Sequence, residues 1–369
     1  WSGPHITTLP VTRLVRAQSV GLVAKLTRGR PMPPDLVDHI VDKTDGVPLF
    51  IEELTRAVLE SGMVVDVGGR FEYAGTVDRI TVPSTLRDSL MARLDRLIPV
   101  KEIAQIGAVV GREFSYELVA AISPMPEPRL TDALDRLVQS ALVFRRGDGA
   151  DAVYTFKHAL VQDAAYDSLL KAKRQELHAR IAEAIRAGQP AVLDTQPELL
   201  AHHYTAAGAL STAVPLWRRA GELALGRMAL TEAIAHLERG LSINATLEAG
   251  LERDALELDI RSVLGTAWMA LRGWPAQEVP DALEPARQLA RTLRRGDQML
   301  SISFGLWANV LVRGRIADSL ALAHEAIDEA VESGDDGLLI VAHMEAMVSE
   351  FWLGRFTAAN SHGQEILAR

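Results

Sequence analysis

Cysteine is absent from these 369 residues. That excludes disulfides and thiolate metal sites, and it is compatible with a reducing compartment. Aromatic residues make up only 5%, while Ala and Leu dominate, which favours helix over sheet. Lysine is scarce. The six lysines are Lys25, Lys43, Lys101, Lys157, Lys171 and Lys173, and none follows a glycine. A Gly-x-x-x-x-Gly-Lys-Ser/Thr phosphate loop is therefore excluded, and with it P-loop hydrolysis of a triphosphate by these residues alone. Long apolar runs are lacking too. The longest uncharged apolar stretch, Gln298 to Val312, is too short to span a bilayer and contains Ser301, Ser303 and Asn309. No signal-peptide pattern is visible, so a cytoplasmic location and no membrane contact are expected. The net charge of −9 argues against a general nucleic-acid surface.

What remains is an ordinary globular composition, 48% hydrophobic and 24% charged, long enough for two or three domains. The first residue is Trp1, and the last, Arg369, follows a helical pattern without a cap. We read the chain as a piece of something longer.

The organising stretch is Asp45-Gly46-Val47-Pro48-Leu49-Phe50-Ile51-Glu52-Glu53-Leu54. Gly46 can take backbone angles closed to other residues. Pro48 suits a first helical turn, where its missing N–H costs nothing. Phe50, Ile51, Leu54, Ala57 and Val58 then share one face, and Gly62 reads as the stop. A plain helix start explains this pattern. A sharper reading has the Gly-x-Pro turn touching a ligand.

Around it, His5 to Val11 reads as a strand ending near Pro10, Leu14 to Thr27 and Asp35 to Asp42 as helices, and Val64 to Thr81 as a loose hairpin or linker with Gly68-Gly69. Ser84 is a candidate N-cap for a helix carrying Leu86, Leu90, Met91, Leu94 and Leu97. Helices follow at Val100 to Val110, after Ser115 and after Pro128. Two β-like runs, Leu142 to Phe144 and Ala152 to Phe156, flank an Asp148-Gly149 turn, and a helix opens at His158. Helices followed by a small hairpin suggest a winged helix. DNA reading is disfavoured, because Glu127 to Arg136 carries three acids against two arginines and the wing tip balances two Arg with two Asp.

From Gln189 onward helix follows helix, with breaks expected at Gly208, Gly226, Gly240, Gly273 and Gly314. Gly314-Arg315 and Gly354-Arg355 lie 40 positions apart, and Gly273 lies 41 before Gly314. Such spacing suits an array of helix pairs with longer helices or loops. Its expected work is to offer a concave surface to a protein or small-molecule ligand. Core packing accounts for Trp217, Trp268, Trp307 and Met344.

Catalytic constellations are missing. His324-Glu325 is followed by Asp328, wrong for a His-Glu-x-x-His zinc motif. His202-His203 are expected to point apart, one packed and one exposed. No Gly-x-Ser-x-Gly elbow occurs. Glu52-Glu53 and Asp335-Asp336 are explained by solvated helix faces and loops. His158 is better placed, at a helix opening beside Lys157, where backbone N–H groups favour an anion. An ordinary capping role is its plainer explanation.

Four ordered motifs, covering essentially the whole chain, resemble one family. They are Asp45 to Thr55, Ser89 to Leu97, Ile106 to Ser115 and Phe156 to Tyr166, followed by Pro197 to Tyr204 and Glu232 to Leu237. Together they resemble the lid, winged helix and tetratricopeptide-like tail of bacterial signal-transduction ATPases with numerous domains, of the AAA/NB-ARC-like type commonly fused to a class III adenylate/guanylate cyclase. The resemblance implies a mainly α chain. Residues 1–81 would be the end of the ATPase core and the helical lid, 82–188 the winged helix with its small β-hairpin, and 189–369 a truncated α-solenoid.

It also implies an ATP/ADP switch with Mg in the full-length protein. The lid turn there contacts the nucleotide, which maps onto Gly46 and Pro48, and a winged-helix histidine senses the ADP phosphates, which maps more loosely onto His158. Phosphate loop, core and cyclase would lie upstream in cis. No tight nucleotide binding, catalytic residue or metal site is expected in this fragment, and oligomerisation is left open. The alternative is the ATPase and sensor region of a transcriptional regulator whose DNA-binding domain lies outside the chain.

Overall fold

The computed structural model describes residues 12–74, 86–95 and 100–369. The expected strand at His5 to Val11 and the Ser84 cap lie outside them. The chain divides into two compact units, Trp1–Leu177 and His178–Arg369. The division falls inside a helix, whereas the sequence suggested boundaries at 81/82 and 188/189.

The first unit opens with α1 (Arg16–Leu26), α2 (Pro34–Thr44) and α3 (Pro48–Glu60), then a hairpin of β1 (Val64–Val67) and β2 (Arg70–Tyr73). Val23, Leu36, Ile40, Ile51, Leu54, Val58 and Val64 meet in one core. The apolar face read from the sequence of α3 is thus the face that packs. Gly62 stops the helix at φ +73°.

α4 (Leu86–Asp95) packs between α3 and a later helix. Next come α5 (Val100–Val110), β3 (Glu113–Ser115), α6 (Tyr116–Ile122), α7 (Glu127–Gln139), β4 (Val143–Arg146), β5 (Val153–Phe156) and α8 (Ala159–Asp167). The strands form an antiparallel sheet of order β3-β5-β4. The sequence pattern missed β3, which spans only three residues. Phe114 at its centre stacks on Tyr154 and Phe156, with centroids 5.6 and 5.4 Å away. Ser115 caps α6 as expected, accepting from the Leu118 N–H. The order helix, strand, helix, helix, strand, strand wraps α5 to α8 around this small sheet.

α9 (Lys171–Gly188) leads into the second unit. There α10 (Val192–Thr195), α11 (Pro197–Ala207), α12 (Leu210–Gly226), α13 (Leu230–Asn244), α14 (Leu251–Arg272), α15 (Glu278–Leu293), α16 (Gly296–Val312), α17 (Ile316–Ser333), α18 (Asp336–Trp352) and α19 (Phe356–Leu367) follow. Each packs on the next, and α12, α14, α16 and α18 also touch in succession, forming one row of a solenoid-like array. The chain is mainly α, as expected. Among the described residues no helix is long and apolar enough to cross a membrane.

The array depends on close helix approach. Gly240, expected as a break, lies inside α13 instead. A Cβ there would stand 3.1 Å from Trp217, so the glycine serves packing rather than termination. Leu283 is wedged the same way between Gly265 of α14 and Gly305 of α16, where an added Cβ would come within 2.4 and 2.6 Å of it. Leu283 is only 2% exposed and has no room to retreat. Gly265→Ala should therefore destabilise the second unit by about 1–3 kcal/mol despite the better helix propensity of Ala. Urea unfolding would measure it, and an unchanged or raised midpoint would refute the wedge.

Candidate functional site

At the start of α3 the backbone turns sharply. Asp45 and Gly46 are both left-handed, with φ +47° and +69°. Leu14 donates its N–H to the Gly46 carbonyl at 2.8 Å. A Cβ on Gly46 would fall 2.2 Å from the Leu14 carbonyl oxygen. Glycine is thus required here by chain crossing alone, whatever else the turn does. Arg13 closes over the turn in an ion pair with Asp45. Val47 is the N-cap and supplies no side-chain cap, and Pro48 occupies the first turn. The first-turn N–H groups of α3 therefore lack side-chain acceptors.

His158 is the N-cap of α8, immediately after β5, and its side chain makes no capping bond. Its Nε2 is buried without a hydrogen-bond partner among the described residues. Burial, with Lys157 adding to it, lowers its pKa, while Glu52 and Glu53 pull the other way and Arg112 again lowers it. The ring is accordingly neutral at neutral pH.

One contact ties these places together. Lys157 pairs with Glu52, and both are mostly buried. Glu52 also accepts from Arg56 at 2.8 Å, one turn on. Burial alone would raise the Glu52 pKa, but Lys157 and Arg56 outweigh it and hold the carboxyl below its ordinary value. Glu52 stands one turn beyond Pro48. The structure thus brings the His158 junction against the helix that Gly46 and Pro48 open.

The reading of Glu52-Glu53 as a solvated face needs correction. Glu53 is 2% exposed and Glu52 is half-covered. The sequence carried no local signal for this, because the partner of Glu52 lies 105 residues away.

The polar atoms left for a ligand are the His158 Nε2, which is buried, and the N–H groups of α3 that lack a side-chain cap. Lys157 is already neutralised by Glu52, and no phosphate loop is present. Among the described residues no group of three His, Asp or Glu side chains could hold a metal ion. On the small sheet, Arg145 pairs with Asp135 and Asp148, and Arg146 with Glu113. The wing arginines are compensated locally.

The second unit has clefts of its own. One of about 1030 Å³ is walled by Arg291 and Arg294 on one side and Glu325, Asp328, Glu329 and Glu332 on the other. Beneath it Arg287, 4% exposed, binds Glu325 at 2.8 Å and Glu329 at 2.7 Å. Glu345 is fully buried, and neither carboxyl oxygen has a hydrogen-bond partner among the described residues. Burial pushes its pKa up to about 8 against the opposing pull of Arg287. A second cleft, of about 560 Å³, is lined by Met347, Phe351, Trp352 and Phe356.

No family model matches the chain. An uncharacterized protein of Rhizobium meliloti is 31% identical over 281 residues, which is 74% of this chain and 26% of that protein. The chain thus spans about a quarter of the curated relative that it matches. Among solved structures, a Signal Transduction ATPase with Numerous Domains with a tetratricopeptide repeat sensor, from Pyrococcus horikoshii, aligns at 12% identity and a TM-score of 0.33. The alignment covers 96% of this chain and 53% of that one. A superposition at that level does not establish a shared function.

Two outcomes follow from this geometry. Gly46→Ala should cost about 2 kcal/mol or more, because it adds a backbone clash to the left-handed strain, whereas Gly62→Ala, with open space around it, should cost about 1 kcal/mol. Equal losses in thermal unfolding would show that the Leu14 crossing is unimportant. Glu345 binds its proton more tightly folded than unfolded. Its contribution is complete below its unfolded value near 4.5 and is lost as pH rises toward about 8. The wild-type chain should lose up to about 1.4 kcal/mol per pH unit over that window from this group, and Glu345→Gln should remove that slope. Identical pH profiles for the two proteins in urea unfolding would contradict it.

Proposed function

We propose that this chain is the regulatory region of a nucleotide-switched signalling ATPase of the kind its motifs resemble. Residues 1–81 act as the end of the core and the lid, 82–188 as a winged helix, and 189–369 as tetratricopeptide-like repeats. The order of helices and strands around the β3-β5-β4 sheet supports the winged-helix reading. The observation that carries the proposal is the Lys157–Glu52 pair, which sets the His158 junction against the helix opened by Gly46 and Pro48.

In this reading ATP or ADP, with Mg, binds a phosphate-loop core supplied by the longer polypeptide. The nucleotide contributes the charge difference between its two phosphorylation states. Gly46 and Pro48 shape the turn that abuts it, and neutral His158 offers its buried Nε2 toward the phosphates. A change at His158 passes through Lys157 and Glu52 into α3, so lid and winged helix move as linked parts. The helical array carries the other input. Its charged and aromatic clefts suit a protein or small-molecule partner. The output is an adenylate/guanylate cyclase in cis. The locally paired wing arginines favour this over direct DNA contact.

The test uses the longer polypeptide with its phosphate-loop core. His158→Ala should speed release of a fluorescent ADP about tenfold or more, equivalent to about 1.4 kcal/mol. Glu52→Gln should weaken the dependence of that release on partner binding. Release rates equal to wild type in both variants would remove the sensor role.

A further inference from the structure

Six of the ten histidines gather in two clusters, both within the second unit. In the first, His178 of α9 meets His202 and His203 of α11, with ring centroids 5.7 and 5.1 Å from its own. In the second, His362 of α19 lies 5.2 Å from His343 of α18 and 6.1 Å from His324 of α17. Each cluster contains a direct ring-to-ring hydrogen bond. His178 Nδ1 to His203 Nδ1 is 2.9 Å, and His343 Nδ1 to His362 Nδ1 is also 2.9 Å.

Such a bond needs one bare nitrogen. One ring donates its Nδ1–H and the other accepts on a lone pair. Protonating the acceptor would set N–H against N–H, so the bond and the doubly charged pair exclude each other. His203 also has a buried Nε2 with no partner among the described residues. A bare Nε2 there costs less than a buried, unused donor, which makes His203 the Nδ1–H donor to His178.

The surroundings do little to welcome charge. His178 and His203 are each 1% exposed, and His343 is 8% exposed. Around the first pair, Arg239 of α13 faces His202. Glu183 of α9 is engaged by Tyr204 and Arg186, and Asp194 of α10 by Arg219 of α12. Around the second pair, Glu350 of α18 and Glu365 of α19 favour a proton, while His324 and Arg369 oppose it. Glu365 is shared with Arg369, Glu350 with Arg355, and Glu325 of α17 with Arg287. Burial is the largest influence on His202, His203, His343 and His362, and all four are lowered, His203 to about 3.

α19 lies on α18 with Phe356 against Phe351, ring centroids 5.5 Å apart, and with Gly363 beside Met347. Ala359 is the one buried residue of that helix among the described residues. The His343–His362 bond is the polar contact among these that joins α19 to α18. Among the described residues neither cluster forms a group of three that could hold a metal ion.

We propose that the two histidine pairs make the helical array proton-responsive: acidification breaks the Nδ1–Nδ1 bonds, loosening α9 from α11 and α19 from α18. The folded form holds neutral rings, so these contacts are complete above the ordinary histidine value of about 6.5 and are lost as pH falls below it. The proposal stands apart from any nucleotide role of the first unit.

Hydrogen exchange on the whole chain tests it, comparing about pH 7.5 with about pH 5.5 after correction for intrinsic rates. Protection in α11 and α19 should fall about tenfold or more, and protection in α13 much less. His343→Gln with His362→Gln keeps an amide-to-amide bond without a titrating group. It should abolish the loss at α19 and leave the loss at α11. Ring-nitrogen NMR on the wild type gives a second reading should the variant not fold. One ring of each pair should stay neutral at about pH 5.5, where protection is already falling, because the opened form is the one that takes up the protons. The idea is overturned if α11 and α19 lose no more protection than α13. It is equally overturned if the double variant loosens as before, or if the paired rings titrate at the ordinary value.

Discussion

Lys157 and Glu52 meet across 105 residues of chain, and that meeting ties α3 to the junction of β5 and α8. The two side chains are only 17% and 23% exposed. A mostly buried pair gains less net energy than its geometry suggests, because both ions lose water. Breaking it by removing one partner is another matter, since the other charge is left stranded. The pair therefore adds little stability of its own but strongly fixes which surfaces meet. Arg56, on the same face of α3, completes the local charge balance. With it in place, the helix opened at Pro48 and the junction capped by His158 share one ionic centre.

Local periodicity carried most of the helices into view. Ile51, Leu54 and Val58 fall on one face of α3 because a 3.6-residue period puts them there, and that face is buried. The hairpin after Val143 and the N-cap at Ser115 were legible for the same reason, as turn and cap chemistry is written within a few residues. β3 was not legible, because three residues show no period and its pairing with β5 lies some forty positions away. Gly240 misled because a glycine reads as a stop when its neighbours in space are unknown. Only the approach of Trp217 and Ile260 shows why it sits mid-helix.

The candidate site divided the same way. Gly46 and Pro48 were visible from their own backbone properties, and His158 from its place between a strand and a helix. Glu52 and Glu53 looked like solvent-facing acids because sequence shows charge but not cover. The histidine clusters were hidden for a related reason. His202 and His203 are adjacent, one exposed and one buried as a helix requires, yet both reach His178 of another helix. His324, His343 and His362 recur at intervals of 19, a spacing that matters only once α17, α18 and α19 lie side by side.

The second unit thus keeps several ionisable groups neutral inside it, and their demands oppose one another. Glu345 is most favourable when protonated, so rising pH works against the fold up to about 8. The paired histidines are most favourable when neutral, so falling pH works against it below their ordinary value. Between the carboxylate and imidazole ranges the two slopes act together with opposite signs, and more histidines than acids take part. The balance favours the folded array least at the acidic end. Above the imidazole range the Glu345 slope continues. Apolar residues of similar size would escape both costs. In an array built with these groups the two slopes limit stability from opposite sides. The acidic one acts on the contacts at α11 and α19, while the alkaline one acts through Glu345 and Arg287 deeper in the packing.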